Sequence, residues 1–151
     1  MISVISPIYN EEGSLRNLCE RIGKTLVAIG EEDYEIILVD NGSHDGSLET
    51  IKLLREQDKR IKYISLSRNF GHQGGILAGL EHATGDPVIS IDGDLQQPPE
   101  LIADMVKLWQ SGYQVVYTIK TNTGSKISVR QIFISWFYKL TVKKFISIRL
   151  I

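Results

Sequence analysis

Apolar positions along the chain follow two rhythms. Short β-branched runs at about 2 to 6 (ISVIS), 35 to 40 (EIILVD), 61 to 66 (IKYISL), 87 to 92 (PVISID) and 114 to 119 (QVVYTI) read as strands. Between the first two, Leu15, Leu18, Cys19, Ile22, Leu26 and Ile29 recur at helical spacing, and Gly30 suits the helix end. A second helix, capped by Ser43 or Asp45, carries Leu48, Ile51 and Leu54, and a third is expected from about Gly75 to Ala83, stopped by Gly85. Pro98 and Pro99 open a fourth at its first turn, where a missing N–H costs little, and Gly112 closes it. Strands alternating with amphipathic helices predict an α/β fold: a mostly parallel, Rossmann-like sheet with flanking helices, wound like a nucleotide-binding fold. A last helical pattern, Val129, Ile132, Phe133, Trp136, Phe137 and Leu140, lies in the segment 128–151.

Composition narrows the classes. The 151 residues, 42% hydrophobic and 23% charged, are ordinary for about one globular domain, so disorder is not expected. Cys19 is the only cysteine, which excludes an intramolecular disulfide and argues against a cysteine-based zinc site. A reducing cytoplasmic compartment fits, and neither a secretory leader nor a run of about 18 apolar residues is present. The net charge of −1 conceals an asymmetry. Met1 to Asp104 holds 18 acidic and 9 basic residues, whereas Met105 to Ile151 holds 8 basic residues and no acid. The two ends must face different partners or each other.

In an open parallel sheet, ligands sit beyond the carboxyl ends of the strands, where loops enter helices. The unusual residues fall there: Asn10, Glu11 and Glu12, then Asp40 to Asp45, Arg68 to Gly75, and Asp92 to Gln96. In SIDGDLQQPPE the strand stops at Asp92 and a second carboxylate, Asp94, follows. Two carboxylates so placed, with Gln96 adding an amide oxygen, can bind a hard divalent cation such as Mg2+ or Mn2+. Held by so few protein ligands, the ion would keep positions for phosphate oxygens; a solvated Asp-Gly turn is the plainer alternative. Asp40 ends a buried strand, so its carboxylate must accept hydrogen bonds from a ligand or from nearby backbone. Asn41, Gly42 and Ser43 are explained as turn and cap formers. In SRNFGHQGG the glycines permit close backbone approach and Arg68 can pair with phosphate oxygens, while His72 could carry a proton or meet a phosphate, a capping or surface role being the plainer reading.

PIYNEE, EIILVDNGSHDGS, SRNFGHQGGILAGLEHATGD, DGDLQQPPE and GYQVVY together resemble the family 2 inverting glycosyltransferases, in particular the polyprenyl-phosphate branch of dolichol-phosphate mannosyltransferase and the bactoprenol glucosyltransferases. The resemblance runs from residue 2 to about 119 and implies the GT-A fold. It implies that Pro7, Tyr9 and Glu11 contact the nucleotide of a sugar donor, that Asp40 reads the base, and that Asp92, Asp94 and Gln96 hold Mg2+ or Mn2+ against the diphosphate. Arg68 falls in the segment near the donor, and with Asp94 it is the expected catalytic pair. Asn41 departs from the commoner second aspartate and Gln97 from the commoner Asp of DLQDPPE, and neither change removes an expected metal ligand. The implied reaction moves a sugar from a UDP- or GDP-sugar to a polyprenyl phosphate with inversion. A lipid monophosphate is already ionised near pH 7, so no general base is nominated.

This reading divides the chain into a donor-binding domain, 1–127, and a basic amphipathic helical tail, 128–151. Lys139, Lys143, Lys144 and Arg149 with Trp136, Tyr138 and Phe145 would suit a membrane interface. A core helix with solvated lysines explains the same pattern. The expected protein is peripheral at the inner face of the plasma membrane and binds no nucleic acid; an apolar helix left uncovered would favour self-association. The acceptor-side run usual in the family is not found, and IKTNTGSK stands where an arginine-containing stretch is usual. The expected chain is therefore a shortened member whose own activity is in question. The rival readings are a non-catalytic protein that binds nucleotide or membrane, a phosphoacceptor domain around Glu11 and Glu12, and a nucleotidyltransferase.

Overall fold

The computed structural model describes residues 1–120 and 146–150. They form two compact units, Met1–Ala103 and Asp104–Ile151, so the division falls inside the expected donor domain. In the first unit β1 (Ile2–Ile8), α1 (Leu15–Ala28), β2 (Tyr34–Asp40), α2 (Ser47–Gln57), β3 (Ile61–Ser65), α3 (Gly71–His82) and β4 (Val88–Ser90) follow in order, and α4 (Leu101–Gln110) begins at its end. The four strands make one parallel sheet in the order β3-β2-β1-β4. The chain winds outward from β1 to β3 and then crosses back to β4, so the order reverses between β1 and β4.

Every residue of β2 is buried, as expected of a strand covered on both faces. Ile5, Ile37 and Val39 meet Ile64, Ile76 and Ala78 under α3, while α1 and α2 pack on each other. Right-handed crossovers place α1 and α2 on the opposite face from α3. Pro7 sits inside β1 without cost. Ser3 and Ile5 bond toward β4, through Ser3 N–H to Pro87 O (3.1 Å) and Ile91 N–H to Ile5 O (3.0 Å). Pro7, in phase with them, falls past the last β4 bond and has no donor to supply.

The third helix corrects the sequence reading. It begins at Gly71, four residues before the expected Gly75, and Gly75 and Gly79 lie inside it. A Cβ at Gly75 would stand 2.9 Å from Pro7 Cβ, and one at Gly79 3.1 Å from Ile5 Cβ. These glycines let the helix seat its backbone on the sheet and do not mark its start. Glu35 is buried at the other end of the sheet from the site, at 2% exposure. Its Oε1 accepts from Ser3 Oγ (2.5 Å), Thr84 N–H (2.8 Å) and Thr84 Oγ1 (2.9 Å), and its Oε2 pairs with Lys62 Nζ at 2.6 Å. The cluster ties β1, β2, β3 and the α3–β4 connection together at the amino end of the sheet.

In the second unit β5 (Val116–Lys120) pairs in parallel with β6 (Ile146–Leu150), with Val116 opposite Ile146. The expected helix of 128–151 therefore does not include 146–150. There Ile146, Ser147, Ile148 and Arg149 alternate with period two, which suits a strand. Residues 128–145 of that segment lie outside the described residues. Among the described residues no helix is long and apolar enough to cross a membrane.

Candidate active site

Loops leave the carboxyl ends of β1 to β4 side by side at the point where the strand order reverses, and each is tied to its neighbours. The loops after β1 and β2 are joined by His44 N–H to Asn10 Oδ1 (2.8 Å), Asn10 N–H to Ser43 Oγ (3.0 Å), Glu11 N–H to Ser47 Oγ (2.9 Å) and Gly46 N–H to Glu12 Oε2 (3.2 Å). Asn10 takes a left-handed φ of 56°, which asparagine tolerates better than most residues. The loops after β2 and β3 meet where Asn41 bonds Asn69, Phe70 and Gly71. Gly42, at φ 72°, lies so close that a Cβ would be 2.7 Å from the Arg68 carbonyl carbon. Ser14 Oγ donates to Gly93 O at 2.7 Å, joining the first loop to the fourth. His72 Nε2 stands 3.6 Å from Asp92 Oδ1, joining the third to the fourth.

The expected site residues divide by role in this arrangement. Asp40 is 2% exposed, and its oxygens accept from Ser43 N–H (3.1 Å) and Ser65 Oγ (3.4 Å), so nearby groups supply the bonds its burial demanded. Pro7 is half-buried beneath Gly75. Tyr9 is exposed, with its ring edge-on to His44 at 6.4 Å. A Cβ on Gly93 would meet Ile8 Cδ1 at 2.6 Å, Pro7 O at 3.4 Å and Glu11 Cγ at 3.7 Å, so the DGD turn lies against the first loop. Asp92 is the first residue past the last β4 ladder bond, and its side chain is 42% exposed. Asp94 Oδ1 accepts from Gln96 N–H at 3.0 Å, across Leu95 at a left-handed φ of 59°. Arg68 is exposed, its guanidinium 4.8 Å from the centre of the Phe70 ring.

The rim is mostly acidic: Glu11, Glu12, Asp40, Asp45, Asp92 and Asp94 against Arg68, with the His72 imidazole beside Asp92. The Ser47 hydroxyl, opposed by a little burial, holds the Asp45 carboxyl below the usual carboxylate range. An edge of this sign can take a diphosphate only with a cation between them. Asp92 and Asp94 are of the right type: hard oxygen donors, both accessible, with Asp94 Oδ1 committed to the turn. Among the described residues no three His, Cys, Asp or Glu side chains gather as a metal cluster, so a bound ion would rest on this pair and on Gln96. Sequence reasoning missed Asn41, whose turn-forming type hid its contacts with a loop 28 residues away. It also left His72 without its partner Asp92.

The family model for glycosyl transferase family 2 matches residues 3–148. The chain belongs to glycosyl transferase family 2. It is 40% identical over 144 residues to the undecaprenyl-phosphate 4-deoxy-4-formamido-L-arabinose transferase of Aeromonas hydrophila subsp. hydrophila, covering 95% of this chain and 41% of that protein. It is 39% identical over 138 residues to the glycosyltransferase YkcC of Bacillus subtilis, covering 91% and 42%. This family 2 chain thus spans about two fifths of the length of these relatives. Among solved structures, the mannosyltransferase PcManGT of Pyrobaculum calidifontis, in complex with GDP-Man and Mn2+, superposes with a TM-score of 0.66 at 25% identity over 80% of this chain and 35% of that one. The first unit is therefore the glycosyltransferase GT-A fold, as the sequence resemblance implied.

Proposed function

We propose that this family 2 domain binds a nucleotide-sugar and serves transfer of its sugar, with inversion, to a polyprenyl phosphate. The observation that carries the reading is the junction of four loops at the reversal of strand order, which gathers Pro7, Tyr9, Glu11, Asp40, Arg68, Asp92 and Asp94 on one edge. Pro7, Tyr9, Glu11 and Asp40 would hold the nucleoside, with Asp40 already anchored for directed hydrogen bonding. Asp92, Asp94 and Gln96 would hold Mg2+ or Mn2+, which when bound supplies positive charge to the diphosphate leaving group. Arg68 adds a fixed cation for the same phosphate oxygens. A displacement from the face opposite the leaving group inverts the anomeric carbon. An ionised phosphate acceptor needs no proton removed, so the proposed reaction calls for no dedicated base.

Support for the acceptor comes from the relative that acts on undecaprenyl phosphate. The surplus of 8 basic residues and no acid after Met105 also suits an anionic lipid surface at the inner face of the plasma membrane. Calorimetric titration of UDP and of GDP, with and without Mn2+, tests the donor half on the wild type and on Asp94→Asn. The asparagine keeps the bond to Gln96 N–H and removes the charge. Metal-dependent binding that disappears in the variant is expected; binding that ignores both Mn2+ and the substitution would sink the metal assignment.

A further inference from the structure

We infer that Asn41 is a positioning residue, whose carboxamide fixes the Arg68–Gly71 turn and thereby sets where Arg68 meets the donor phosphates. The inference rests on the donor reading above, and its own content is the coupling of Asn41 to Arg68. Asn41 is 3% exposed, and its backbone is pinned at the end of the sheet by its N–H to Ile8 O at 2.8 Å. From that fixed point Oδ1 accepts from Phe70 N–H at 2.9 Å, while Nδ2 donates to Gly71 O at 3.0 Å and to Asn69 Oδ1 at 3.2 Å. The partners dictate the orientation of the amide, because a backbone N–H can only donate and a carbonyl oxygen can only accept.

An alanine at this position would remove all three bonds, leaving Phe70 N–H and Gly71 O without the partner that Asn41 supplies. Asn69 Oδ1 also accepts from Gly71 N–H at 2.7 Å, so the turn has one internal brace and one external one. The external brace reaches Arg68 through Phe70. Phe70, whose backbone Asn41 holds, carries the ring beneath the Arg68 guanidinium. Gly42 brings the neighbouring backbone against Arg68 and Asn69, leaving that segment no room to sink when the amide bonds are lost.

The test is a double-mutant cycle on nucleoside diphosphate binding with Mn2+: wild type, Asn41→Ala, Arg68→Ala and the double variant, by calorimetry with UDP and GDP. Hydrogen–deuterium exchange at the Phe70 amide is measured beside it. Asn41→Ala is expected to weaken binding about tenfold when Arg68 is present. In the Arg68→Ala background the change is expected to be less than about twofold. Phe70 exchange should quicken in both Asn41→Ala proteins. Asn69→Ala, at an exposed position, should weaken binding in the same direction and guards against a variant that fails to fold. An equal loss in both backgrounds, or unchanged Phe70 exchange, overturns the positioning role alone. A folded wild type that binds neither nucleotide overturns the donor reading, and this inference with it.

Discussion

Replacing Glu35 tests whether the amino end of the sheet is held by charge. Burial by itself would raise the Glu35 pKa; Lys62, Ser3 and Thr84 outweigh it and bring the carboxyl from 4.5 down to about 2. At about 1.4 kcal/mol per pKa unit, that difference sets a ceiling of about 3 kcal/mol on the stability gained by ionising this group. Lys62 is 51% exposed, so solvent screens the pair, and about 2 kcal/mol is the expected loss for Glu35→Gln at pH 7. The glutamine oxygen can still take the Ser3 and Thr84 donors, but its amide N–H groups then face the Lys62 ammonium, so this variant replaces the ion pair with two opposed donors. Glu35→Ala also strands those donors and should cost about twice as much. Because the folded pKa is depressed, the contribution is complete above the unfolded value of 4.5 and fades as pH falls toward about 2. Urea unfolding at pH 7 and pH 3 reads the effect: the gap between wild type and Glu35→Gln should shrink by more than half at the lower pH. A gap of the same size at both values, or none at pH 7, would refute the reasoning.

Two further outcomes follow from packing. Gly75→Ala would stabilise an unconstrained helix by about 0.5–1 kcal/mol, but against the Pro7 ring it should destabilise by about 1–2 kcal/mol, a change of sign read from the urea midpoint. Cys19 is 6% exposed, and burial, with a smaller push from Asp58, raises its thiol to about 12. It should therefore resist thiol reagents at pH 8 in the folded protein and react fully once unfolded; labelling of the native state at the rate of a free thiol would contradict this placement.

The strands and the first two helices were legible because their apolar residues are spaced by the demands of burial. Leu15, Leu18, Ile22 and Leu26 are all fully buried on α1, as their spacing required. α3 was misread at its start because Gly75 and Gly79 answer to the sheet beneath them, and a local pattern carries no record of a neighbour such as Pro7. The end of β4 was placed at Asp92 by sequence and falls at Ser90 by pairing, although Ile91 still bonds β1. Within the site, acidic and glycine-rich loops announced themselves by type. Asn41 did not, because an asparagine in a turn has a sufficient local explanation and its long-range bonds exist only in the fold. The tail misled for a related reason: aromatic and aliphatic residues at helical spacing over 129–140 lent their period to Ile146 and Ile148, which alternate.

The cross-bracing of the four loops bears on the thermodynamics of recognition. Asn10, Ser14, Asn41 and Ser47 already hold the loops in place through bonds made within the chain, so the ordering of the rim is completed during folding. A ligand arriving at these four loops meets little residual disorder in them, so their ordering draws little on its binding energy. Their share of its heat-capacity change should then reflect the apolar surface the ligand itself covers, without the larger negative contribution that would accompany their folding on binding.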